Sequence, residues 1–269
     1  GPTVKYYFSD WDPAKRVTQW KEAIATKPNG ITMYGFMGPE AAKPLVDESY
    51  KKGIIVTTLN TSLVDLQAQY STQGFGYVGA VNYKAGVDLA TEMAKRGKLA
   101  AGDEAFVWGL KGQVGDRGQR TVGVIEGFEK LKIKVIYQEI DQATNTTPAS
   151  GGPTFAGIMA KNPKVKAVVT DHGGLTATAA TYMKAANLKA GAVYFGGFDV
   201  SPATTTAIES GFLQLVIDQQ PFLQGYLPIL QICLTKKFGF SGLSVNTSGG
   251  FLDKANVGVV APLAIKEIR

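Results

Sequence analysis

Apolar positions in this chain fall in short unbroken runs, and amphipathic stretches separate one run from the next. In the first part the runs are residues 4–9 (VKYYFS), 30–36 (GITMYGF), 54–59 (IIVTTL) and 77–80. In the second they are 105–110 (AFVWGL), 133–140, 165–170 and 193–198. They are rich in β-branched and aromatic residues and are four to eight long, so they predict strands. The stretches between them predict helices. Pro13 starts one behind an Asp12 cap, with Val17, Trp20 and Ile24 on one face. Others are predicted over 39–52, ending at Gly53, and over 83–96, 119–131, 154–161, 175–186 and 221–237. The strand runs are continuous rather than alternating, as when helices cover both faces of a sheet. Repeated βα units imply parallel strands with right-handed crossovers. The first half reads β-α-β-α-β-β-α, a loop at 97–103 follows, and a second α/β lobe begins.

Composition narrows the class. At 269 residues and 45% hydrophobic content the chain can form one large domain or two small ones. No apolar run approaches the ~20 residues of a membrane span. No signal peptide is read at the N-terminus, so a mature or trimmed chain is expected, and Gly1-Pro2 fits either a native start or a protease-site scar. One cysteine, Cys233, excludes an internal disulfide. The net charge of +6 is spread among interleaved acids, so no nucleic-acid partner is expected. His172 is the sole histidine, and without a second one or a thiolate cluster no metal site is expected. GxSxG, P-loop and HExxH motifs are absent and the glycine pairs Gly151-Gly152, Gly173-Gly174 and Gly196-Gly197 do not fit GxGxxG; neither catalysis nor a cofactor is expected.

The stretch 195–226 (FGGFDVSPATTTAIESGFLQLVIDQQPFLQGY) reads strand, loop, helix, strand, helix. Asp199 follows its first strand, and Gln219 and Gln220 follow its second. Polar side chains at strand carboxyl ends are where open α/β sheets take ligands. A carboxylate accepts from two adjacent hydroxyls, and an amide both donates and accepts. The alternatives are structural: Asp199 as the cap of the helix near Pro202, a job Ser201 could do instead, and Gln219 as a hinge tie.

These motifs, in this order, resemble a known family. WDP at 11–13, GIIVTTL at 53–59, YVGAVNYKAG at 77–86, GDRGQR at 115–120 with Gly127-Phe128, GGFDVSP, DQQPFLQGY and TSGGFLDKAN at 247–256 are similar to the periplasmic sugar-binding proteins of ABC importers, the type I, ribose-binding-like group. The resemblance runs from end to end. It implies an α/β fold of two Rossmann-like lobes in flavodoxin-like strand order, joined by a three-strand hinge, with a ligand cleft between them. The implied lobes are 1–101 plus 220–247 and 102–219 plus 248–269. It implies a periplasmic protein, or an extracellular lipid-anchored one, whose partners are a sugar or polyol and an ABC permease. In the family another βα unit precedes the strand at 4–9, with its strand inside the first lobe's sheet. A chain lacking it is expected to leave interior edges unpaired and to bind ligand more weakly. A missing segment on another chain or a swapped second copy would fill the gap.

The resemblance also sorts the candidate ligand contacts. Asp199, Gln219 and Arg120 lead, with Arg117 as the other arginine of its turn and Asp116 as a possible clamp on either. Asn60-Thr61 stands where relatives often carry Asp-Arg, which favours a neutral ligand or altered hydroxyl geometry; otherwise Asn60 is a turn former. His172 is either a ligand contact, with affinity sensitive to pH near ~6.5, or a satisfied loop residue. Trp11 and Phe36 supply aromatic faces at strand ends, whereas Trp108 reads as core. Thr146 replaces an aromatic wall, which suggests a ligand smaller or more linear than a hexopyranose. The rival reading is the ligand-sensing domain of a LacI-type repressor or receptor on the same fold.

Overall fold

The computed structural model describes residues 1–10 and 12–269. In chain order the elements are α1 (Pro13–Ala25), β1 (Gly30–Tyr34), α2 (Pro39–Lys51), β2 (Ile55–Asn60), α3 (Val64–Tyr70) and β3 (Gly76–Gly79). Then come α4 (Asn82–Arg96), β4 (Glu104–Gly109), α5 (Asp116–Lys130), β5 (Lys134–Glu139), α6 (Gln142–Thr146), α7 (Gly152–Lys161) and β6 (Val165–Thr170). The chain continues through α8 (Gly173–Ala177), α9 (Ala179–Ala185), β7 (Tyr194–Phe198), α10 (Pro202–Glu209) and β8 (Leu215–Asp218). It ends with α11 (Pro221–Phe238), β9 (Ser244–Asn246), β10 (Gly250–Leu252) and α12 (Val257–Ile265). Two compact units result. Unit 1 is Gly1–Ala80, Val114–Arg117 and Leu223–Thr247, and unit 2 is Val81–Gln113, Gly118–Phe222 and Ser248–Arg269.

Unit 1 holds a parallel sheet in the order β1-β2-β3-β9. Asp12 caps α1, its carboxylate accepting from the N–H groups of Ala14 and Lys15 at 2.8 and 3.1 Å. That helix buries Trp20 and Ile24 against a core that includes Met33, Leu45, Val46, Val56 and Phe75. The predicted strand at 4–9 does not form. Its β-branched and aromatic residues find no ladder, and propensity alone does not hold a strand. Tyr6 and Phe8 are 71% and 73% exposed, and the outer edge of β1 carries no partner strand among the described residues.

Unit 2 holds six strands in the order β10-β8-β7-β6-β4-β5, all parallel except β10, which runs antiparallel to β8. Counted within the unit, its parallel strands follow the flavodoxin-like order 2-1-3-4-5. The core is an aromatic stack of Phe106, Trp108, Phe155, Tyr182 and Phe195, with neighbouring ring centroids 5.2 to 6.3 Å apart. Trp108 is fully buried there.

The first boundary falls at Ala80/Val81 rather than at 101, so α4 belongs to unit 2. Glycines make that docking possible. A Cβ on Gly86 would strike the Arg120 carbonyl, and one on Gly123 would strike the Tyr83 carbonyl, so α4 and α5 touch backbone to backbone. The second boundary, Phe222/Leu223, lies three residues beyond the expected one. The helix expected over 175–186 is two short ones, α8 and α9, and α3, α6, β9, β10 and α12 have no counterpart among the predicted elements.

Candidate functional site

In unit 2 the polar residues gather where parallel strands end. Arg120, in the second turn of α5, is 3% exposed. Its Nε donates to Asn82 Oδ1 at 2.9 Å, its Nη1 to the Asp171 carbonyl at 3.3 Å and its Nη2 to Gln219 Oε1 at 2.6 Å. The guanidinium lies over the Phe198 ring, 4.5 Å from its centroid. Gln219, 2% exposed, passes the chain on: its Nε2 donates to Asp199 Oδ1. Asn82, Arg120, Gln219 and Asp199 thus form one planar-group relay at the ends of β6, β7 and β8. The relay fixes the rotamer of every member, as a preorganised polar site requires.

Asp199 is the partly exposed end of that relay. Its second carboxylate oxygen, Oδ2, accepts no hydrogen bond among the described residues, while Oδ1 is held by Gln219. The capping alternative is settled by Ser201, whose Oγ accepts from Thr204 N–H at 3.2 Å in a capping box that starts α10. Asp199 sits at φ +75°, and Gln220, after β8, at φ +54°. Such conformations cost on the order of 1 kcal/mol each in a non-glycine residue and collect at functional sites. Gly173 leaves room for Asp199: a Cβ there would overlap its carboxylate.

The remaining candidates in unit 2 divide. His172 caps α8, its Nδ1 accepting from Gly174 N–H at 3.1 Å, which places any ring proton on Nε2. Arg117, half-buried one turn before Arg120, lies in the short segment Val114–Arg117 that groups with unit 1. Asp171 is fully buried, and its Oδ2 takes the Thr121 hydroxyl and the Leu110 N–H, tying the β4 loop to α5 beside Arg120.

Unit 1 carries a second polar cluster. Asn60, at φ +62° after β2, donates from Nδ2 to Gln224 Oε1 at 3.2 Å, and Gln224 Nε2 donates to Thr247 Oγ1 at 2.9 Å. The Tyr77 hydroxyl donates to the Ala80 carbonyl at 2.6 Å and lies 3.0 Å from the Asn60 carbonyl. Phe36, two residues past β1, is 5% exposed, and the Arg16 guanidinium covers its ring at 5.2 Å. Trp11 lies outside the described residues.

The structure therefore joins Asp199, Gln219 and Arg120 in one array and places Asn60 in another. Asn82, Gln224 and Thr247 were not among the predicted contacts. Each sits inside a motif singled out in the sequence; Asn82 and Gln224 are polar residues in the first turn of a helix, which was the available signal, and Thr247 follows β9. Among the described residues no cluster of three or more metal-ligating side chains occurs.

Known proteins carry the same organisation. A family model described as "Periplasmic binding protein domain" matches residues 1–233. The xylose/arabinose-binding protein XylF of Sulfolobus acidocaldarius is 24% identical over 259 residues, covering 91% of this chain and 62% of that protein's length. An ABC transporter solute-binding protein from Agrobacterium vitis, solved with bound D-fucose, superposes with a TM-score of 0.82 at 18% identity, over 98% of this chain and 87% of that one. A carbohydrate transporter from Acidothermus cellulolyticus in complex with myo-inositol gives a TM-score of 0.78 at 23% identity, over 96% and 85%. With the model matching most of its length, this chain belongs to the periplasmic binding protein domain family.

Proposed function

We propose that the protein is a solute-binding protein that captures a sugar or polyol by hinge closure and delivers it to an ABC transporter permease. The observation that carries this reading is the Arg120–Gln219–Asp199 relay at the carboxyl ends of β7 and β8, with Asp199 Oδ2 unclaimed among the described residues. A carboxylate held on one oxygen and open on the other is suited to a pair of sugar hydroxyls. Family membership supports the reading, as do relatives whose names or bound molecules are sugars and a cyclitol. On this reading the protein works outside the cytoplasm, in the periplasm or at the cell exterior. It binds its ligand without turning it over, and Arg120 serves as the hub that holds Gln219 and Asp199 in register. A thermal-shift screen over pentoses, hexoses, pentitols and inositols tests this. A ligand at 100 times its dissociation constant should add about 2.7 kcal/mol of stability, and the recovered ligand should be unchanged by mass spectrometry. A chain that is folded by circular dichroism yet unshifted by every member, or a converted ligand, would refute it.

A further inference from the structure

Arg16 is a half-buried cation in unit 1 with no anion among the described residues. It lies at the carboxyl end of β1, where its guanidinium faces the rings of Tyr34 at 5.5 Å and Phe36 at 5.2 Å. Nε and Nη2 both donate to a single neutral acceptor, Ser9 Oγ, at 3.2 and 2.7 Å. Ser9 is 2% exposed, so this anchor is fixed. Nη1 makes no hydrogen bond, and no carboxylate lies within ion-pair distance of Arg16, among the described residues. The two acids nearest in sequence are committed elsewhere: Asp10 pairs with Lys15 at 2.6 Å, and Asp12 caps α1. The first turn of α1 contains Lys15 and Arg16 and no acidic residue, and the Asp12 carboxylate at that helix end is taken up by the Ala14 and Lys15 N–H groups. Burial pushes the Arg16 guanidinium below its ordinary value, as expected for a desolvated cation lacking a counter-charge.

Two aromatic faces and a buried hydroxyl thus hold a guanidinium with one edge unspent. Its planar fork matches a carboxylate in two-point geometry, which a neutral hydroxyl cannot reproduce. We infer that Arg16 is a specificity-determining ligand contact, and that the preferred ligand is a sugar carrying a carboxylate: a uronate or an aldonate. This deepens the sugar-binding reading and rests on it. It also reverses the neutral-ligand expectation drawn from Asn60-Thr61, because Arg16 supplies in unit 1 the cation which that pair lacks.

The test compares matched ligands by calorimetry at constant ionic strength: D-glucuronate against D-glucose, D-galacturonate against D-galactose, and D-gluconate against D-glucitol. In at least one pair the acid should bind ten-fold or more tightly than its neutral partner. Arg16→Gln should bring that ratio to about one through loss of the acid's affinity, while Arg16→Lys should retain part of it. Should Arg16→Gln fail to fold, the wild-type ratio and Arg16→Lys carry the test. Equal or tighter binding of the neutral partner in every pair overturns the inference and leaves the sugar-binding reading intact. So does an acid preference that survives in folded Arg16→Gln. Failure of all six ligands and of the wider neutral panel overturns both.

Discussion

Replacing Arg120 with methionine strands three groups at once. Asn82 Oδ1, the Asp171 carbonyl and Gln219 Oε1 lose their donor in a site where Arg120 is 3% exposed. Truncating one partner of a buried, hydrogen-bonded charge costs about 2–5 kcal/mol. Ligand affinity should fall by at least thirty-fold in calorimetric titration. Arg120→Lys keeps the charge but not the fork, so it should still lose affinity, by about ten-fold for one displaced contact. Gly173→Ala probes the other end of the relay. Its added methyl group overlaps the Asp199 carboxylate, so affinity should drop while the apo melting temperature moves by only a few degrees, about 1 kcal/mol in stability. Unchanged affinity in Gly173→Ala would mean that Asp199 does not touch the ligand. Asp199 itself was readable from the sequence because it ends a strand run beside a helix signal. The relay behind it was not, because Asn82 and Arg120 are 38 positions apart and Arg120 and Gln219 are 99 apart.

Two elements, α4 and α5, set where the relay stands. Gly86 and Gly123 let their backbones meet, and the Gly86 contact is with the carbonyl of Arg120 itself. Gly86→Ala or Gly123→Ala should therefore cost about 1–3 kcal/mol by overpacking, measured by denaturant unfolding, and Gly86→Ala should weaken ligand binding as well. A change below about 0.5 kcal/mol in both would contradict this packing. The short helix α6 gives a pH test. Asp141 caps it, accepting from the Thr144 N–H at 2.9 Å and the Thr144 hydroxyl at 2.8 Å, which holds its carboxyl below the usual carboxylate range. A lowered folded value means that the cap's contribution is complete above about pH 4 and is lost as pH falls through the folded value. In thermal melts across acidic pH, Asp141→Asn should keep the cap and flatten that part of the profile. Helices with Pro at the first turn and a strong cap, such as α1, were legible in the chain. The strand expected at 4–9 was not, because a strand depends on a neighbour that local sequence does not report.

At the scale of the molecule, two α/β units and their family were visible in the order of motifs from 11–13 to 247–256. The unit boundary at 80/81 was not, because it depends on where α4 docks and not on any break in composition. On the proposed function this molecule binds one sugar-type ligand reversibly through the Asp199 relay and leaves it unchanged. The most direct measurement is an isothermal titration of the protein with the ligand giving the largest thermal shift, run beside Asp199→Asn. The expected result is a saturable isotherm at one ligand per chain for the wild type and a dissociation constant at least ten-fold weaker for Asp199→Asn, with the ligand recovered intact from both. Heats of dilution alone for the wild type, or identical isotherms for the two proteins, would contradict it.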